Sequence, residues 1–319
     1  MPKVTDIINQ RKGEPFVSFE LVPPLKGSDV NVLHKSIEAL VDLDPAFINV
    51  TCHRDEVQYI LNDNGTYNKM TLSKRPSTLA IVGAIMQRFD ISIVPHVICG
   101  GASAAKIESE LLDLHFMGIN NVVALRGDAE PGYRRFIPEP DGFSHSSELV
   151  EMIDHLNNGV YLDPSIKNGI STDFCIGVAG YPEKHFEAAN IDIDIMHLKQ
   201  KVDAGAHYVV TQMFFDNVKF YQFRDLCRKA GINVPIIPGL KPLSSAKQIQ
   251  SIPQAFHLDI PNELVAKIQQ YNDKESQYEA GVEWCIAQCN DLLQNDVPAL
   301  HFYTMGRADN VRRIVKAVM

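Results

Sequence analysis

Phe16-Val17-Ser18-Phe19-Glu20-Leu21-Val22-Pro23-Pro24 is an apolar, strand-like run that carries a carboxylate near its end and is stopped by two prolines. An ionised, unpaired carboxylate among such neighbours costs several kcal/mol, so Glu20 must pair, keep its proton, or serve a task that needs a raised pKa. The pattern recurs. Apolar runs at 46–50, 91–95 and 121–125 lead into Thr51, His96 and Arg126-Gly127-Asp128. Those at 174–180 and 207–211 lead into Tyr181 and Gln212, and 234–239 and 299–304 complete eight. Short apolar runs of this kind read as strands buried on both faces.

Segments with helical periodicity lie between them, at 29–42, 76–89, 103–117, 146–157, 194–204, 216–230, 244–252 and 306–317. Eight alternating strand–helix units require a parallel sheet covered by helices, and closure of that sheet gives an α/β fold, the (β/α)8 TIM barrel. Active sites of such barrels occupy the carboxyl ends of the strands, where these polar residues fall. An ordinary strand end meeting water accounts for any one of them; it does not account for the series. Three stretches break the rhythm. Residues 52–75, with Asn64-Gly65, read as a long loop, as do residues 129–145, with Pro131, Gly132, Pro138, Pro140 and Gly142. Residues 261–295 read as extra helices before the last strand.

A length of 319 residues with 45% hydrophobic and 22% charged content fits one catalytic barrel spanning 1–319. The formal charge of −9, with no basic stripe, argues against nucleic acid and anionic membranes as partners. No signal-peptide pattern and no run of ~20 apolar residues is present, which predicts a cytoplasmic protein. The six cysteines are scattered; Cys285 and Cys289 are spaced as two positions of one helix, and no metal site is expected.

Several chemistries lack their signature. There is no Gly-x-Gly-x-x-Gly after a strand, no phosphate-binding P-loop, no Gly-x-Ser-x-Gly elbow and no His-Glu-x-x-His. Gly100-Gly101-Ala102-Ser103 reads as a tight strand-to-helix connection with Ser103 as N-cap. Asp194, His197 and Lys201, three and four residues apart, share one helix face, which suits either an extended polar ligand or a solvated, ion-paired surface.

Taken together, the motifs resemble those of methylenetetrahydrofolate reductases of the bacterial, catalytic-domain-only type. They are Ser18-Phe19-Glu20-x-x-Pro23-Pro24, Pro95-His96, Ala124-Leu125-Arg126-Gly127-Asp128, Tyr181-Pro182-Glu183-x-His185-x-Glu187-Ala188, Leu198-Lys199-x-Lys201-Val202-Asp203-Ala204-Gly205-Ala206, Thr211-Gln212-x-Phe214-Phe215-Asp216, Ile237-Pro238-Gly239 and His301-Phe302-Tyr303-Thr304. They run in order from about Phe16 to Arg312. The resemblance implies a non-covalent FAD and reduction of 5,10-methylenetetrahydrofolate to 5-methyltetrahydrofolate by NADH or NADPH. Such an enzyme serves one-carbon metabolism and methionine biosynthesis. It further implies ping-pong turnover in one shared pocket, a homo-oligomer, and no S-adenosylmethionine-binding regulatory domain.

By resemblance, Glu20 is the general acid that protonates the folate nitrogen and opens its five-membered ring to an iminium, and Asp128 is the carboxylate that stabilises this cation. Gln212, Gln248 and Arg307 contact the folate. Thr51, His96, Arg126, Gly127, Asp128, Ser146, Tyr181, His185, Ala188, Asp194, His197, Gln200 and Lys201 contact FAD. The chain departs from the pattern at Leu21 and Val22, which replace common aromatics, and at Ile252, where a relative stacks an aromatic ring on nicotinamide. Two other readings compete: a pterin-binding barrel that transfers a methyl group, and a flavin-binding subunit without catalysis. Glu20 and Asp128 together argue against the latter.

Overall fold

The computed structural model describes residues 1–130 and 132–319; Pro131 of the 129–145 loop lies outside the described residues. In chain order the elements are α1 (Val4–Gln10), β1 (Phe16–Leu21), α2 (Val30–Val41), β2 (Phe47–Val50), β3 (Glu56–Leu61), β4 (Tyr67–Leu72) and α3 (Thr78–Met86). Then come β5 (Ile93–Ile98), α4 (Ala104–Phe116), β6 (Asn121–Leu125), α5 (Ser146–Asn157), β7 (Cys175–Gly180), α6 (Ile191–Asp203), β8 (Tyr208–Met213) and α7 (Asn217–Lys229). The chain closes with β9 (Ile236–Leu240), α8 (Gln248–Phe256), α9 (Asn262–Gln269), α10 (Lys274–Gln294), β10 (Ala299–Tyr303) and α11 (Asp309–Val318).

Eight strands close in the order β1-β2-β5-β6-β7-β8-β9-β10, each parallel to its neighbours, so the expected (β/α)8 barrel is present. Alternation along each strand creates two cores. Val17, Phe19, Ile48, Ile93, Val122, Ile176, Val209 and Leu300 face outward onto the helices. Phe16, Phe47, Val94, Val123, Tyr208, Val210 and Ile237 fill the lower barrel. The latter core is closed from beneath by Val4 and Ile7 of α1, a helix the strand–helix rhythm does not reveal. Asn121 ties α1 down: its Oδ1 accepts from the Val4 N–H at 2.9 Å and its Nδ2 donates to the Pro2 carbonyl at 2.9 Å.

The structure corrects one expectation. Residues 52–75 are not a loop throughout, because β3 and β4 form an antiparallel hairpin that pairs with no barrel strand. Its side chains are mostly exposed, so no buried face imposed the two-residue alternation that would have betrayed it. Residues 129–145 carry no regular element among those described. Residues 261–295 form α9 and α10, as expected. Ser103 caps α4, accepting from the Lys106 N–H at 3.4 Å.

Gly239 explains the Ile-Pro-Gly motif. A Cβ there would lie 2.1 Å from the Thr211 carbonyl oxygen and 2.6 Å from the Tyr303 ring, so only glycine lets β8, β9 and β10 approach at this level.

Candidate active site

The carboxyl ends of the barrel strands gather most of the polar residues singled out in the sequence. Two surface depressions, of about 240 and 770 Å³, lie at the opposite end of the strands and include none of them.

At the centre, Glu20 is the penultimate residue of β1 with its side chain 14% exposed, and its Oε2 lies 3.7 Å from Nε2 of His96 on β5. Burial pushes the Glu20 carboxyl up to about 8 and, with the nearby His53, takes the His96 imidazole down to about 4. At neutral pH the contact is therefore between a protonated acid and a neutral ring rather than an ion pair. The Thr304 hydroxyl donates to the Glu20 carbonyl at 2.7 Å, and the Tyr303 hydroxyl to the Thr211 carbonyl at 2.6 Å, which fixes the backbones around the acid.

Arg126, Gly127 and Asp128 form the turn after β6. Gly127 has φ +86°, a left-handed conformation that favours glycine, and Asp128 is exposed at the rim. Arg126 pairs with Glu187 at 2.6 Å and lies over the Phe136 ring at 5.1 Å. Thr51, just past β2, contacts His53 through Oγ1 at 3.0 Å. Ser146 is the first residue of α5.

Beyond β7, Tyr181 meets His185 edge-on at 4.7 Å, and Ala188 is buried nearby. Burial and Asp194 push the Tyr181 hydroxyl up to about 12, while burial and Arg126 take His185 down to about 4. On α6, buried Asp194 accepts from the His185 N–H at 3.1 Å. Lys201 donates to the Ala179 carbonyl at 2.6 Å, and burial lowers its ammonium to about 8. His197 and Gln200, on the same helix, are exposed. The 194–201 face is thus split, with its two ends turned inward and its middle facing solvent.

Two of the folate candidates are engaged locally. Gln212 Oε1 accepts from the next backbone N–H, that of Met213, at 2.9 Å, and Gln248 Oε1 accepts from the Ser244 N–H at 2.6 Å. Arg307 is exposed beyond β10. Ile252 is only 4% exposed and belongs to a buried apolar cluster with Met213, Phe215, Leu243, Leu258 and Leu264.

Three residues at this end had escaped sequence reasoning. Asn49, one position inside an apolar run, faces into the barrel beside Glu20. Lys241, just past β9 and 6% exposed, has its ammonium lowered to about 8 by burial and by Arg307. Arg54 is pinned between Glu130 and Glu139 of the 129–145 loop. A polar residue at an inward-facing strand position was the one available signal for Asn49. Among the described residues no group of three or more His, Cys, Asp or Glu is placed to hold a metal ion, and no helix is long and apolar enough to cross a membrane.

The sequence pattern of the family described as Methylenetetrahydrofolate reductase matches residues 3–319. The chain belongs to that family. It is 32% identical to the 5,10-methylenetetrahydrofolate reductase of Salmonella typhimurium over 93% of this chain and 88% of the relative. The corresponding Escherichia coli protein is also 32% identical, over 95% and 92%. Methylenetetrahydrofolate reductase (NADH) 1 of Arabidopsis thaliana is 30% identical over 95% of this chain and 48% of its own length. Among solved structures, a Clostridium thermocellum protein described as binding two copies of 5-methyl-5,6,7,8-tetrahydrofolic acid shares the fold. Its TM-score is 0.62 at 16% identity, covering 99% of this chain and 98% of that one. Membership makes the methylenetetrahydrofolate reductase fold and the oxidoreductase class those of this chain.

Proposed function

We propose that this protein reduces 5,10-methylenetetrahydrofolate to 5-methyltetrahydrofolate, using NADH or NADPH and an FAD held at the barrel mouth. The observation that carries this reading is Glu20, a buried carboxyl that keeps its proton to about pH 8 at the carboxyl end of β1. A group in that state can give a proton to a substrate nitrogen at neutral pH, as general acid catalysis requires.

The donor set suits a flavin dinucleotide. Lys201 brings a buried ammonium engaged by one carbonyl, with no carboxylate at ion-pair distance among the described residues, which suits a diphosphate. Asp194 offers an acceptor, and Arg126 a second cation beside it. Thr51, His96, Gly127, Asp128, Ser146, Tyr181, His185, Ala188, His197 and Gln200 would complete the contacts. FAD bound there supplies hydride chemistry. The protein's own share is to hold the proton on Glu20, deliver it to the folate nitrogen so that the ring opens to an iminium, and exclude water from it. Asp128 at the rim supports that positive charge, and Gln212, Gln248 and Arg307 orient the folate.

Reductant and folate would occupy one mouth in turn. Purified protein should therefore convert methylenetetrahydrofolate to methyltetrahydrofolate with a nicotinamide donor, and double-reciprocal plots at several fixed folate concentrations should be parallel. Intersecting lines would defeat the shared mouth. Absence of product with both nicotinamides, in protein that carries flavin, would defeat the reaction.

A further inference from the structure

Glu20 lies level with Asn49 in the pairing of β1 with β2, so the two side chains point into the barrel side by side. Asn49 is 1% exposed, and its Nδ2 lies 3.2 Å from Nε2 of His96, the same nitrogen that faces Glu20 at 3.7 Å. We propose that Asn49 is a positioning residue for the reaction, whose amide fixes His96 with an unprotonated Nε2, so that the ring turns a lone pair rather than a proton toward the Glu20 carboxyl. The inference rests on the general-acid reading of Glu20.

An amide Nδ2 only donates, so a hydrogen bond from it requires a lone pair on Nε2 and puts the ring proton on Nδ1. That lone pair, 3.7 Å from the Glu20 carboxyl, opposes the carboxylate and favours the protonated acid. A proton on Nε2 would instead face the carboxyl with a donor, stabilise its ionised form and empty the acid before substrate arrives. Rotating the Asn49 amide by half a turn produces that second arrangement, because Oδ1 then accepts from Nε2–H. The two states are chemically distinct and can be told apart.

The surroundings leave this choice to Asn49. Tyr303 lies level with Glu20 on β10, and its hydroxyl is pushed well above its ordinary value by burial. His301, held by Ser18 at 2.8 Å, is taken down to about 3 by burial and by His96. His53, in the loop after β2, is lowered by burial and by Arg75, against the pull of Asp128 at the rim. Tyr181, across the mouth, is raised to about 12. All are neutral at pH 7, and among the described residues no lysine or arginine is paired with Glu20. His96, 3.7 Å from the carboxyl, is therefore the ring placed to act on the acid.

The test reads the ring directly. In protein labelled with ¹⁵N-histidine, with the His96 signals assigned by their loss in His96→Phe, Nε2 should show the shift of an unprotonated nitrogen and Nδ1 that of a protonated one at pH 7. Infrared difference spectra against Glu20→Gln follow the Glu20 carboxyl through its titration. Asn49→Leu frees the imidazole to carry its proton on Nε2, so the Glu20 midpoint should fall by a pH unit or more. The same substitution in a His96→Phe background should add no shift. Protonated Nε2 in the parent protein, or an equal shift with and without His96, overturns the proposal. The parent spectrum decides even if Asn49→Leu fails to fold. Failure of turnover in Glu20→Gln is a separate measurement and bears on the acid itself.

Discussion

Glu20 has burial on one side of its balance and no cation on the other, which is why its pKa moves up where most carboxylates in ion pairs move down. Glu20→Gln keeps the shape and removes the proton. Stopped-flow absorbance should show the folate half-reaction slowed by ~10²–10⁴-fold while the half-reaction with NAD(P)H continues; equal slowing of both would take Glu20 out of its role. Because the protonated form is the active one, the folate half-reaction of the parent should decline as pH rises through about 8, a limb the Gln variant lacks. Asp128 is the contrasting case, an exposed carboxylate on a turn whose shape is set by Gly127. Asp128→Asn should weaken the folate half-reaction and leave flavin in the purified protein, since the backbone of the turn is unchanged. Flavin lost from a folded variant, by absorbance and circular dichroism, would make Asp128 chiefly an anchor. Glu20 was legible in the sequence because a lone acid in an apolar run has few bland explanations. Asn49 and Lys241 were not, because a single amide or amine at a strand position looks like an ordinary strand end until the barrel closes around it.

The barrel strands and most of their helices were readable for one reason: each is buried on a face whose period the sequence must repeat. Elements without that constraint were missed. Hairpin β3–β4 buries almost nothing, and α1 is seven residues long and commits only Val4 and Ile7 to the core. Helix α8 shows the converse, a position whose role depends on which way its face turns. The family resemblance implies that Ile252 stands where a relative stacks a ring on nicotinamide, but here the residue is packed inside an apolar cluster with Leu264 of α9 and Ala280 of α10. Ile252→Phe should therefore overpack that cluster, at about 1–3 kcal/mol, and lower the Tm by roughly 2–4 °C per kcal/mol rather than tighten the reductant. Thermal melts beside steady-state kinetics separate the outcomes, and a lower apparent NAD(P)H constant at unchanged Tm would return position 252 to the reductant's surface.

Burying so many titratable groups around one mouth gives the whole molecule a characteristic dependence on pH. His96 and His185, lowered to about 4, and His301, lowered to about 3, are neutral in the fold but take up protons in the unfolded chain below about 6.5. Between their folded values and 6.5 the unfolded state binds more protons, so stability rises with pH across that window. Glu20 acts in the opposite sense. It stays protonated in the fold up to about 8 but ionises from about 4.5 when unfolded, so its contribution falls as pH rises from 4.5 to 8, and burial gives Asp194 and Glu183 the same direction. Below 6.5 three histidines outweigh the acid; above it their contribution fades, and as pH nears 8 Lys201 and Lys241, lowered to about 8 by burial, begin to act in the same sense, so Glu20 is opposed throughout. The Tm should climb from pH 4 to about 6.5 and then level off, with Glu20 holding back about 1–2 kcal/mol of stability between pH 6.5 and 8. Glu20→Gln removes that opposition, so the variant should gain on the parent as pH rises, by about 1–2 kcal/mol between pH 6.5 and 8, even as it loses the folate half-reaction. Calorimetry of both proteins at half-unit intervals of pH checks this, and a parent–variant difference that stays constant from 6.5 to 8 would mean that Glu20 is already ionised in the fold.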